Sequence, residues 1–153
     1  MSDRRSEVQS ILDTYYNAFN TMDKAGVLEV FSKDADFIDF TMGRNMKGRA
    51  QLAEFIDETW RLSPYFRLEP QMIVIDDDQV AVQLYMSGSA KVDGSGNPLP
   101  ADHWRIPSTS FFKFRGDQND WKSDCWNMLA IPKQIGWLKT LPKMIQTNRR
   151  ASS

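Results

Sequence analysis

Apolar residues recur at spacings of three and four from Val8 through Ile11, Leu12, Tyr15, Tyr16 and Phe19. That period predicts an amphipathic helix over about 7–20. Ser6 followed by Gln9 reads as a capping box, in which each side chain reaches the other's free amide. Asp23 can cap a second, shorter helix carrying Val27, Leu28, Val30 and Phe31, and Lys33-Asp34 breaks that pattern. Residues 36–40 switch to a period of two, with Phe37 and Asp39 on one face and Ile38 and Phe40 on the other. Gly43 and Gly48 bracket a hairpin-like turn. Leu52, Phe55, Ile56, Thr59 and Trp60 then restore the helical period over 49–60, and Ser63-Pro64 ends it.

The remainder alternates like strands. Residues 67–75 form one candidate, with Pro70 marking an edge or a bulge. Asp76–Asp78 is a tight turn, and in 79–89 Val80, Val82, Leu84 and Met86 share a face. Gly and Pro make 93–100 a loop. Residues 103–115 form a long strand interrupted near Pro107, 116–120 turns, and 121–128 is the last strand, with Ser123, Cys125 and Asn127 on one face. The basic, polar stretch from about 139 is expected to fray. Two helices, a third, and then a long antiparallel meander predict an α+β fold. A curved antiparallel sheet wrapped around N-terminal helices makes a cone-shaped pocket, a natural small-molecule site.

Composition narrows the function. A chain of 153 residues suits one domain, spanning 1–153, with a real core. A net charge of −1 leaves no basic field to hold nucleic acid. No apolar run approaches the roughly 20 residues that span a bilayer, and the N-terminal MSDRRSEVQS lacks the apolar stretch of a secretory signal. The single cysteine, Cys125, fits a reducing, cytoplasmic setting. One His and one Cys cannot make a typical zinc set, and Asp76–Asp78 lacks the glycine and spaced ligands of a calcium loop. The expectation is therefore no metal and no cofactor.

Asp39 is the best catalytic candidate, a carboxylate inside an otherwise apolar strand. Burial in an apolar cone would raise its pKa toward a useful base value; the plainer reading is a carboxylate at the strand end, solvated or capping the turn that follows. Tyr15 and Tyr16 point about 100° apart on a helix, so one can enter the pocket while the other packs. Asn127 is either a carbonyl-orienting donor or a satisfied core amide. Trp60, Tyr85, Trp104, Phe112, Trp121 and Trp126 are candidate walls of an aromatic cavity, and some of them must instead be core or dimer interface. His103, the only histidine, follows a Pro-bounded loop and is either a rim residue or structural.

The stretches YYNAFNTMDKAGVLEVFSKDADFIDF, KGRAQLAEFI and WNMLAIPKQIG resemble the nuclear transport factor 2-like superfamily, and within it the SnoaL-like polyketide cyclase branch, a relative of ketosteroid isomerase. The resemblance runs over about 8–136. It implies Asp39 as general base and Tyr15 as donor to an oxyanion. The position matching a second acid of ketosteroid isomerase is Ser110. The position matching the last-strand Asp of the cyclases, ahead of Gln134-Ile135-Gly136, is Asn127, and Gly88-Ser89-Ala90 stands where many members carry Gly-Thr-His. The resemblance implies a cofactor-independent isomerase or cyclase acting on a hydrophobic polycyclic or polyketide-like carbonyl compound in secondary metabolism. Asp39, Tyr15 and Asn127 would be catalytic, with Trp60, Tyr85, Ser110, Phe112, Trp126 and His103 at the substrate. It also implies homodimers paired through the sheet. The alternatives are a binding module on the same scaffold, and epoxide hydrolase or dehydratase chemistry with Asp39 activating water.

Overall fold

The computed structural model describes residues 2–137; the predicted fraying of the basic stretch lies outside them. The elements are α1 (Ser2–Asn20), α2 (Lys24–Val30), β1 (Phe31–Asp39), β2 (Arg44–Lys47), α3 (Gly48–Leu62), β3 (Tyr65–Asp76), β4 (Gln79–Ser89), β5 (His103–Arg115), β6 (Gln118–Trp126) and α4 (Ala130–Gln134). The α+β expectation holds. One curved six-stranded sheet runs in the order β2-β1-β6-β5-β4-β3, and all its pairs are antiparallel except β1 with β6.

The helical stripe predicted for α1 is the core stripe. Val8, Leu12, Tyr15, Tyr16 and Phe19 are buried against the concave face of the sheet. β5 shows the alternation most plainly, with Trp104, Ile106, Ser108, Ser110, Phe112 and Phe114 inward and every second residue exposed or half-buried. Val80, Val82, Leu84 and Met86 of β4 share that inward face. Asp23 caps α2 as expected, accepting from the Gly26 amide at 3.0 Å.

Several boundaries differ from the sequence reading, each for a local reason. α1 begins at Ser2, well before Ser6, so no capping box forms, and the Gln9 amide donates instead to Asp13 at 2.9 Å. β1 begins at Phe31, because a bulge between Phe31 and Asp36 absorbs the polar Lys33-Asp34; the Arg49 guanidinium from α3 holds the Phe31 carbonyl at 2.7 and 2.9 Å. The turn between Gly43 and Gly48 contains a short edge strand, β2. β3 is both an edge strand and bulged after Pro70, as that proline required. β5 runs unbroken through Pro107, because β6 ends at Trp126 opposite Ser108 and leaves Pro107 beyond that ladder.

Two side-chain amides act as strand neighbours where the sheet lacks one. Asn20 at the end of α1 donates to and accepts from the Leu68 backbone, both at 2.8 Å. Gln134 of α4 does the same to Arg105, both at 2.8 Å, on the stretch of β5 that β6 leaves unpaired. The second clamp ties α4 to β5, and Ile131 and Pro132 of α4 line the cavity.

Candidate functional site

Helices α1, α2 and α3 and the concave sheet face enclose a cavity of about 520 Å³, within the range of small-molecule sites. Its walls are mostly aromatic and aliphatic, among them Phe19, Phe37, Phe55, Phe66 and Trp104. Arg44 and Glu58 also line it, joined at 2.6 Å and each well exposed, and Ile131, Pro132, Ile135 and Trp137 come from α4 and the turn after it.

Asp39 lines this cavity and is only 3% exposed. It ends β1, and its carboxylate closes the turn that follows. Oδ1 accepts from the Met42 amide at 2.9 Å, and Oδ2 accepts from the Trp126 indole N–H at 3.2 Å. The turn-capping and pocket readings of Asp39 are thus both realised by one side chain.

A second carboxylate stands beside it. Asp124 of β6 is the register partner of Asp39 in the parallel β1–β6 pair, so the two share a face on strands about 4.8 Å apart. Asp124 also lines the cavity. Its Oδ1 accepts from the Ser110 hydroxyl at 2.5 Å and from the Lys122 ammonium; Oδ2 has no hydrogen-bond partner among the described residues. Lys122 lies behind the pair, 2% exposed, with Nζ 4.4 Å from the Phe37 ring centroid, 5.2 Å from Phe112 and 5.9 Å from Tyr15. Burial pushes the Lys122 pKa down, against the opposing pull of Asp124 and Asp39.

Tyr15, rather than Tyr16, lines the cavity. Burial, reinforced by the negative charge of Asp124, holds the Tyr15 phenol well above its ordinary pKa, and the same two causes raise Tyr16. Both therefore stay protonated, and Tyr15 is a hydrogen-bond donor rather than a base. The Tyr16 hydroxyl is buried with no partner among the described residues.

Of the nine residues that the resemblance places at the site, Tyr15, Asp39 and Trp126 line the cavity, and Ser110 reaches it through Asp124. Asn127 does not. β6 ends one residue earlier, and Asn127 is exposed, its side-chain oxygen accepting from the Leu129 amide at 3.1 Å. Tyr85 is on the convex face, as the inward register of Leu84 and Met86 demands, with the Arg105 guanidinium 3.7 Å from its ring centroid. Phe112 is buried behind the wall against Tyr15 at 5.7 Å. Trp60 packs edge-on to Phe19 at 5.5 Å, outside the lining, and its buried indole N–H has no partner among the described residues. His103 packs against Tyr65 at 5.8 Å, while its neighbours Asp102 and Trp104 line the cavity.

Asp124 and Lys122 are the residues that the sequence reading missed. The inward face of β6 carries Lys122, Asp124 and Trp126, and the face with Cys125 turns outward. The positions that match the family's second acid, Ser110 and Asn127, hold no carboxylate, but Asp124, three residues before Asn127, brings a second carboxylate to the cavity. The signal was the Trp126 two positions on: an inward Trp126 places Asp124 inward too.

The sequence profile described as the SnoaL-like domain matches residues 12–119. The chain belongs to the SnoaL-like family. Solved structures of this fold align along most of its length. A Catenulispora acidiphila protein with a ketosteroid isomerase-like fold, in complex with trimethylamine, is 17% identical, with 82% of this chain and 92% of that one covered at a TM-score of 0.72. AclR from Streptomyces galilaeus, a candidate hydroxylase, is 17% identical over 99% and 92%, TM-score 0.73. IdmH from Streptomyces antibioticus, a candidate polyketide cyclase, is 18% identical over 84% and 97%, TM-score 0.72. No curated protein matches in sequence. At these identities the solved structures establish the SnoaL-like fold alone. No helix among the described residues is long and apolar enough to cross a membrane.

Proposed function

We propose that this SnoaL-like protein is a cofactor-independent isomerase or cyclase that removes a proton from carbon next to a carbonyl in a hydrophobic, polycyclic or polyketide-like compound. The observation that carries this is the placement of Asp39 and Asp124 side by side on the floor of an apolar cavity that Tyr15 also lines. The proton passes to Asp124 Oδ2, the oxygen left without a partner, while the C–H electron pair becomes the enolate double bond. The enolate oxygen takes the Tyr15 hydroxyl as donor. Return of the proton to the same or another carbon completes an isomerisation; attack of the enolate carbon on a second carbonyl of the substrate forms the ring bond as that C=O π pair moves to oxygen, and return of the Asp124 proton to the resulting alkoxide completes a cyclisation. Asp39 offers a second acceptor one strand away. Relatives with this fold that are described as polyketide cyclases support the substrate class.

The test is deuterium exchange from D2O into the α-carbon of a flat bicyclic ketone such as 2-tetralone. The native protein should accelerate exchange, and Asp124→Asn should lose about 10²-fold or more while still binding the ketone. Equal exchange in the native protein and Asp124→Asn removes the mechanism; binding with no exchange in either leaves a binding module. The Asp39–Lys122–Asp124 charge cluster favours one further reading, carboxylate-activated water opening an apolar epoxide, which ¹⁸O incorporation from labelled water would reveal. The apolar convex face, where Phe40, Met72, Val74 and Phe111 are each more than half exposed, supports a homodimer, and sedimentation of native protein against Phe111→Glu tests it.

A further inference from the structure

We propose that Lys122 is a positioning residue that supplies a fixed positive charge behind the Asp39–Asp124 couple, so that the couple carries a net charge of one rather than two into the apolar cavity. This rests on the reading of that couple as the acid–base pair. The geometry is specific. The Lys122 ammonium bonds Asp124 Oδ1, which the Ser110 hydroxyl also holds, and the Phe37, Phe112 and Tyr15 rings surround it. Its neighbours are Phe37 and the charge of Asp39 from β1, Phe112 and the Asp124-bound Ser110 from β5, Asp124 from its own strand and Tyr15 from α1. Lys122 is absent from the residues lining the cavity, so its amine is not placed to meet a substrate.

A charge in this position is an expensive way to fill space. An apolar side chain of similar volume is often as stabilising as a buried ion pair, or more so, and Met would fill the cage between three rings. Lysine supplies a charge that Met cannot. Two carboxylates on adjacent strands repel each other across a floor that little water reaches to screen them. The ammonium offsets that repulsion. Because Asp124 receives both Lys122 and Ser110 on Oδ1, the same contacts fix its rotamer and leave Oδ2 open.

The test is an NMR titration of ¹³C-aspartate, ¹⁵N-lysine protein between about pH 4 and 10, with Asp39→Asn and Asp124→Asn assigning the carboxyl signals. In Lys122→Met, one of the two carboxyl midpoints should rise by about one pH unit or more, a tenfold change in proton affinity, and the acid limb of α-proton exchange should move with it. A folded variant with both midpoints unchanged overturns the proposal. Should Lys122→Met not fold, the native protein decides: an Nζ signal of an ammonium at pH ~7 supports the proposal, and that of a neutral amine overturns it. The titration is read without turnover. A protein that catalyses no exchange but shows the midpoint shift loses the proposed activity and keeps this role for Lys122.

Discussion

Replacing Asp124 by Asn separates charge from hydrogen bonding at the floor of the cavity. Asn keeps one acceptor oxygen, so the bonds from Ser110 and Lys122 to Oδ1 can both persist, and its amide takes the place of the unpartnered Oδ2. The negative charge and the free acceptor at Oδ2 are removed while the bonds at Oδ1 remain. Asp39 is then the carboxylate left to offset the buried Lys122 charge among three ring faces. Breaking a buried pair from one side costs about 3–5 kcal/mol, and the remaining attraction of Asp39 for Lys122 puts this variant near the lower figure, about 3 kcal/mol at pH ~7. The cost should shrink as pH rises. The folded pKa of Lys122 is already depressed by burial, and losing Asp124 depresses it further. Once the folded amine is neutral, only the unfolded chain binds that proton, and stability climbs with pH at up to about 1.4 kcal/mol per unit until the unfolded value near 10.4.

Urea unfolding at pH ~7 and ~9 measures both quantities, and the double variant Asp124→Asn/Lys122→Met provides the control. With no ammonium left to strand, the double variant should recover about 2 kcal/mol or more of the loss. A single variant within about 1 kcal/mol of the native protein, or a double variant no more stable than the single, would refute the claim that Lys122 is charged and depends on Asp124.

Alkaline stability should be shaped by the two buried tyrosines. Their folded pKa values are raised, so above pH ~10 the unfolded chain loses protons the folded one keeps, and stability should fall by up to about 1.4 kcal/mol per unit for each; urea midpoints that stay level between pH ~10 and ~12 would contradict this. Gly88→Ala should destabilise by about 1–3 kcal/mol, because an added Cβ would meet the Trp104 indole and lie 2.5 Å from the Ser63 hydroxyl, which accepts from the Ser89 amide at 2.9 Å and donates to the Tyr65 carbonyl at 2.6 Å. Thermal melts check its size, and a shift in Trp fluorescence checks that Trp104 is what moves. Gln134→Ala removes two bonds to the Arg105 backbone, worth about 1 kcal/mol each at most at an exposed site. It should leave the global melt nearly unchanged while hastening amide exchange over 129–137 and dissociation of a cavity ligand; unchanged exchange there would mean that the clamp does not hold α4.

What could be read from the chain, and what could not, divides along the difference between period and register. The period of Val8, Leu12, Tyr15 and Phe19, and that of Val80, Val82, Leu84 and Met86, reports which residues share a face, and burial of those faces produces the fold. Period alone does not say which of two mixed faces turns inward. In β6 one face carries Ser123 and Cys125, the other Lys122, Asp124 and Trp126. Charged residues are rarely buried unless paired, so nothing within the strand favours the Lys122–Asp124 face, and the resemblance points instead to Asn127, beyond the Ser123–Cys125 face. The inward choice is made by contacts far apart in sequence. Asp39, 85 residues before Asp124, joins it across parallel strands, Trp126 returns an indole bond to Asp39, and Ser110 closes on Asp124 from β5. Each charge in the cluster is tolerable because the others are present. Asp39 stood out because its strand is otherwise apolar; Asp124, between Lys122 and Trp126 in a mixed strand, had no such contrast. A lysine and an aspartate two apart beside a tryptophan are therefore better weighed as one candidate unit, because in a strand they occupy one face and each makes burial of the other possible.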